Sequence, residues 1–97
     1  MVGNLYSFFY FLIMNIYVGN LNYRLQEDEL KEIFVQYGEV ASVKIITDKY
    51  TGQSKGFGFV EFVDEDDATK AIEELNGTDF KGRNLIVNKA RPPQRRD

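Results

Sequence analysis

Cysteine and histidine are both missing from this 97-residue chain. Their absence removes disulfides, thiolate nucleophiles, most zinc sites and the commonest general base, so catalysis is short of parts and no cofactor or metal is implied. Also missing is any apolar run of the roughly 20 residues that a membrane-spanning helix needs. Positive charge is not in excess: the formal net charge is −3, which argues against a partner held by charge alone. What remains is the composition of an ordinary globule, 43% hydrophobic and 28% charged, sufficient for one domain with a single two-layer core. The acids are not spread evenly. Ten of the fifteen fall in two segments that read as helices: Glu27, Asp28, Glu29 and Glu32, then Asp64, Glu65, Asp66, Asp67, Glu73 and Glu74. Lys44, Lys49, Lys55, Lys89, Arg91, Arg95 and Arg96 lie elsewhere, so the molecule is expected to be polar by face, and a ligand responds to the local field rather than to the total.

Residues 15–20 alternate, with Ile16 and Val18 pointing one way and Tyr17 and Gly19 the other, which predicts a first strand. Leu30, Ile33, Phe34 and Tyr37 recur at helical spacing and form one apolar stripe. Glu29 suits the third helical position after Gln26, Leu25 can staple onto Leu30, and Gly38 ends the segment. A second strand over 39–47 puts Val43 and Ile45 inward and Lys44 and Ile46 outward. The polar stretch 48–54 reads as an exposed hairpin loop, and the strand after it as the third. Asp64 then caps a second helix with the stripe Ala68, Ala71, Ile72 and Leu75, stopped at Gly77. Residues 85–90 close the set, with Leu85 and Val87 inward and Ile86, Asn88 and Ala90 outward. The order strand, helix, strand, strand, helix, strand predicts an α+β fold: a ferredoxin-like βαββαβ sandwich, a four-stranded antiparallel sheet with two helices on one face.

Two short stretches carry the chemistry: Ile16-Tyr17-Val18-Gly19-Asn20-Leu21, and Lys55-Gly56-Phe57-Gly58-Phe59-Val60-Glu61-Phe62. Strand alternation puts Lys55, Phe57, Phe59 and Glu61 on one face and Gly56, Gly58, Val60 and Phe62 on the other. Rings standing between charges make a poor core but a good platform for flat ligands such as nucleobases. In these stretches the chain resembles the RNA recognition motif family. The octamer fits that family's K/R-G-F/Y-G/A-F-V-x-F/Y pattern at every specified position, and the hexamer looks like its companion. The resemblance runs from about Met14 to Arg91. It implies that Tyr17, Phe57 and Phe59 stack bases and pack on a ribose, and that Asn88, Lys89 and Arg91 lie where the family reads bases from the end of its last strand. Lys55 is expected at a phosphate or base edge, and Lys44 and Ile46 beside it on the neighbouring strand. Lys49 and Tyr50 read as solvated loop, and Asn20 as a turn residue.

Other fragments fail on inspection. Gly56-Phe57-Gly58 lacks the third glycine of a dinucleotide fingerprint and lies within a strand. Asp64-Glu65-Asp66-Asp67 has Thr69 where a calcium loop needs glycine and Leu75 where it needs glutamate. Asn76-Gly77-Thr78 fits a glycosylation sequon but sits at a helix end in a chain with no sign of secretion. An acyl-phosphate-hydrolysing enzyme on this fold would need a glycine-rich cradle with an arginine, and Arg24 is the only candidate.

The expectation is therefore a non-enzymatic, cytoplasmic binder of single-stranded RNA, and also of single-stranded DNA, in a chaperone-like or post-transcriptional regulatory role, without membrane attachment. The rival is a protein-interaction module using the same sheet or the acidic helices. Three segments are expected: an apolar extension over 1–14, the domain over 15–91, and a basic tail over 92–97. The extension is too short to span a bilayer and lacks the basic start and cleavage site of a signal peptide. Met14-Asn15-Ile16-Tyr17 looks like a natural beginning, so one expectation is that translation starts at Met14; the alternative is a real extension that packs as an added apolar segment or joins two chains. Intact-mass measurement on protein from its native source checks this, because a mass that includes Met1 rules it out.

Overall fold

Ile16 and Val18 are buried while Tyr17 between them is only half covered, the period-two signature of a strand with one face on a core. The computed structural model describes residues 14–90. Its elements run β1 (Met14–Gly19), α1 (Glu27–Phe34) with a 3-10 turn (Val35–Tyr37), β2 (Val40–Thr47), β3 (Ser54–Phe62), α2 (Glu65–Leu75), β4 (Asp79–Phe80), β5 (Arg83–Asn84) and β6 (Ile86–Lys89). Four strands make one sheet in the order β2–β3–β1–β6, with every neighbouring pair antiparallel. The strand order makes β3 and β1 the central pair, and these are the strands that carry the octamer and the hexamer.

Both helices start as their sequences predict. In α1 the Gln26 N–H donates to Glu29 Oε1 at 3.0 Å, satisfying one of the amides a helix start leaves unpaired. In α2 the Asp64 carboxylate accepts from the Asp66 N–H at 2.7 Å. Leu30 and Phe34 from α1 and Ala68, Ala71 and Leu75 from α2 are buried with Ile16, Val18, Ile45, Val60, Phe62 and Val87 of the sheet. Phe34 and Phe62 meet edge to face at 6.1 Å. All these strand residues share one parity, so both helices lie on one face and the other face carries Tyr17, Phe57 and Phe59.

The structure differs from the sequence reading at two places. Met14 belongs to β1, paired with Phe62 and packed on the core, so the strand begins one residue before the expected domain boundary. Residues 1–13 and 91–97, including the expected extension, the basic tail and Arg91, lie outside the described residues. A two-stranded ribbon, β4–β5, precedes the last strand; its strands are too short to show a period, and its turn uses Lys81 (φ 54) and Gly82 (φ 86).

The octamer's second inward glycine is there because of a backbone contact. An added Cβ on Gly58 would run into the Lys44 carbonyl and lie 3.0 Å from the Ile45 Cα, atoms held in the β2 ladder that cannot swing aside. Gly58→Ala is expected to lose about 1–3 kcal/mol in urea unfolding, because β2 and β3 must separate to admit one methyl. A loss within about 0.5 kcal/mol, the size of an ordinary surface change, would refute that close approach.

Candidate nucleic-acid interface

The rings form a triangle on the face opposite the helices. Tyr17 lies 5.9 Å from Phe57, tilted at 32°, and 5.9 Å from Phe59, edge to face, while Phe57 and Phe59 are 6.2 Å apart and nearly perpendicular. Antiparallel register produces this arrangement: Tyr17 sits directly across from Phe59, and cross-strand partners share a face. Tyr17 leans along its strand over Gly19, where an added Cβ would stand 2.5 Å from the phenol oxygen. The glycine thus gives the ring a seat flat against the sheet.

The same row extends to both edges of the sheet. Lys44 of β2 pairs with Phe59, and Asn88 of β6 pairs with Tyr17, so one line across the face reads Lys44, Phe59, Tyr17, Asn88. Ile46 follows Lys44 on that face and is half-buried. In the next row Ser42 and Asn15 both pair with Glu61, and the Ser42 hydroxyl donates to the Glu61 carboxylate at 2.6 Å. Lys55 is exposed at the start of β3 and shares an open depression with Phe57. Lys89 falls differently: it pairs with Ile16, a core residue, so alternation turns it toward the helix-bearing side at an exposed edge. The structure therefore brings Tyr17, Phe57, Phe59, Lys44, Ile46, Lys55 and Asn88 to one surface and separates Lys89 from them.

Electrostatics follow the same division. The acids of α1 and α2 ride on the layer opposite the rings, while Lys44 and Lys55 stand among them, so the face a phosphate would meet is not the face that carries most of the negative charge. Glu27 is one acid with a structural duty: it reaches from α1 to accept the Ile45 N–H at 2.9 Å, closing part of the free edge of β2.

The sequence reading missed a clamp between the β1–α1 loop and the β4–β5 ribbon. Asn22 donates to the Lys81 carbonyl at 3.1 Å and Lys81 pairs with Glu29 at 2.9 Å. Asn20, read as a turn residue, has φ 58 and donates from its amide to the Asn84 carbonyl at 2.7 Å. Its partners lie some sixty residues away in sequence, and no local pattern announces them. Glu29 is held below its usual pKa, first by the Gln26 N–H and then by Lys81.

The chain is similar to known proteins over most of its length. The pattern of the RNA recognition motif family matches residues 16–86, and the chain belongs to that family. Its relatives include a candidate RNA-binding protein, RbpA, from Nostoc sp., 49% identical over 83 residues that cover 86% of this chain and 81% of the relative. Among solved structures, RNA-binding protein PG1 is 57% identical with a TM-score of 0.79, covering 84% of this chain and 99% of that one. A sex-lethal protein solved in complex with RNA is 35% identical with a TM-score of 0.79, covering 82% of this chain and 48% of that one. No described helix is long and apolar enough to cross a membrane.

Beside the platform, Asp48 builds the β2–β3 hairpin loop. Its carboxylate accepts the Tyr50 N–H at 2.7 Å and the Thr51 N–H at 3.1 Å. These bonds, and Lys55 to a lesser degree, hold its pKa below the usual aspartate value. A folded pKa below the unfolded one favours the fold above the unfolded value, and that contribution is lost as pH falls through the folded value. In an NMR titration the Tyr50 and Thr51 amide shifts are expected to move with a midpoint below about 3.9, the ordinary aspartate value. A midpoint at or above it would show that the carboxylate is not held by those two amides.

Proposed function

We propose that this protein binds single-stranded RNA by stacking bases on Tyr17, Phe57 and Phe59. The observation that carries the reading is the ring triangle itself: three aromatic side chains about 6 Å apart, on the two central strands, on the face the helices leave bare. Exposed aromatic clusters mark binding surfaces, and stacking is worth about 1–3 kcal/mol per base. Three rings thus supply ~3–9 kcal/mol before ordering costs, enough for micromolar to submicromolar binding with few phosphate contacts. Membership of the RNA recognition motif family and the likeness to an RNA-bound structure support the reading.

Within it, Lys44 and Lys55 meet phosphates or base edges at the rim, Ile46 packs against a base or ribose, and Asn88 hydrogen-bonds a base from the β6 edge. Lys89, on the other parity, adds field rather than a base contact. Arg91 is assigned by its motif position alone. Because stacking does not depend on the 2′-hydroxyl, single-stranded DNA is also a ligand on this reading. Binding rather than catalysis is then the output, suited to a chaperone-like or post-transcriptional role in the cytoplasm.

Filter binding with short oligonucleotides tests the platform. Replacing Tyr17, Phe57 and Phe59 together by alanine is expected to abolish retention while leaving cooperative thermal unfolding intact, since none of the three belongs to the core. Unchanged retention would sink the stacking reading and favour a protein partner for the sheet. With about three phosphates engaged, the log–log salt slope is expected near −2; a slope near −6 would mean that charge, not stacking, holds the strand.

A further inference from the structure

Another aromatic–cation pair lies beyond the triangle. Tyr23, in the β1–α1 loop, is 64% exposed, and its ring lies over Gly56, where an added Cβ would strike it. Arg83 sets its guanidinium over the same ring, 5.9 Å from the centroid. That guanidinium is fixed in place: Nη2 and Nε both donate to Asn20 Oδ1, at 2.7 and 3.1 Å. Asn20 is itself tied to the Asn84 carbonyl, and the ribbon carrying Arg83 is clamped through Lys81.

An exposed arginine normally loses much side-chain freedom when it takes up a ligand. Here the loss has already occurred in folding, so less remains to oppose binding. Of the five guanidinium N–H donors, Asn20 engages two and leaves three. Among the described residues no carboxylate lies within ion-pair distance of Arg83. Tyr23 is also continuous with the platform. A single open depression is lined by Phe57, Lys55, Ser54, Arg24 and Tyr23 and by no acidic residue. Asp48, the acid whose charge Lys55 feels, already accepts two loop amides. A strand leaving Phe57 along this depression therefore passes Lys55 and Arg24 before reaching Tyr23, and Arg83 stands over the Tyr23 ring.

We propose that Tyr23 and Arg83 form a second nucleotide-binding step that extends the footprint of single-stranded RNA beyond the ring triangle, a proposal that rests on the RNA-binding reading above. The part of the Tyr23 ring that Gly56 and Arg83 leave exposed supplies a stacking surface for a further base. The free donors of Arg83 take the phosphate beside it, in the forked geometry that suits guanidinium.

Fluorescence anisotropy with oligouridylates of about four and about eight nucleotides, within the usual range of site sizes, tests this on the full chain. Wild type is expected to bind the longer strand about tenfold more tightly, the size of one stacking step. Tyr23→Ala and Arg83→Gln are expected to lose that gain and to bind the shorter strand as wild type does. Arg83→Gln should also lower the salt slope for the longer strand alone by about 0.7, one phosphate's share. Tyr23→Leu keeps cover over Gly56 without an aromatic face, and its loss of the gain separates stacking from folding. If these variants keep the gain, the second step is wrong while the platform stands. If wild type binds neither length, the RNA reading fails and this step fails with it.

Discussion

One face of the sheet must be buried, and the organisation of the molecule follows from that requirement. Ile16, Val18, Val60, Phe62 and Val87 lie under α1 and α2 with no exposed surface. Because side chains alternate strictly along a strand, holding this set inward sends Tyr17 and Phe59 outward with no further instruction. A slip of one residue would exchange the faces, exposing the core set and burying the rings. The hydrophobic core and the binding platform are therefore two consequences of one register, and no separate device is needed to hold the rings out.

Glycine makes the register physically possible at the crowded point. At Gly58 the β2 backbone approaches β3 so closely that a side chain has no room, and this happens opposite Ile45 and next to the Lys44–Phe59 pair. At Gly19 the same lack of a side chain lets Tyr17 lie down on its own strand. Glycines in the two motifs thus serve the rings from behind and from beside: one lets the strands close up, the other lets the ring settle. Around this rigid centre the polar groups are tied by long-range bonds, with Glu27 on the β2 edge and Asn20, Asn22 and Lys81 between loop and ribbon. These hold the loops at one end of the platform in a fixed relation to the rings.

The distribution of charge explains how a chain of net charge −3 can present a face suited to an anionic partner. The helical segments carry ten of the fifteen acids, and they are bound to the side of the sheet that the rings do not occupy. The acids at the helix starts also favour those ends, where unpaired amides and the helix dipole attract negative charge. Negative charge thus has a structural use far from the platform, and total charge says little about the surface that a strand would touch.

Much of this was legible in the residues. The two helical stripes, the Asp64 cap, the alternation in 16–19 and 57–62 and the loop before Lys55 all depend on contacts within a few positions, so periodicity and capping chemistry suffice to read them. The octamer added the family, and alternation then assigned Tyr17, Phe57 and Phe59 to one face. Alternation also turned Ile86, Asn88 and Ala90 outward, but Lys89 was grouped with Asn88 by motif position, and only pairing with Ile16 separates the two. The ribbon β4–β5, the Asn20–Arg83 bonds and the seat of Tyr23 over Gly56 went unread, because each joins residues distant in sequence through polar groups that carry no period. Local patterning determined which side chains face out; chain folding alone decided which of them meet, since that depends on how strands and loops remote in sequence are brought side by side.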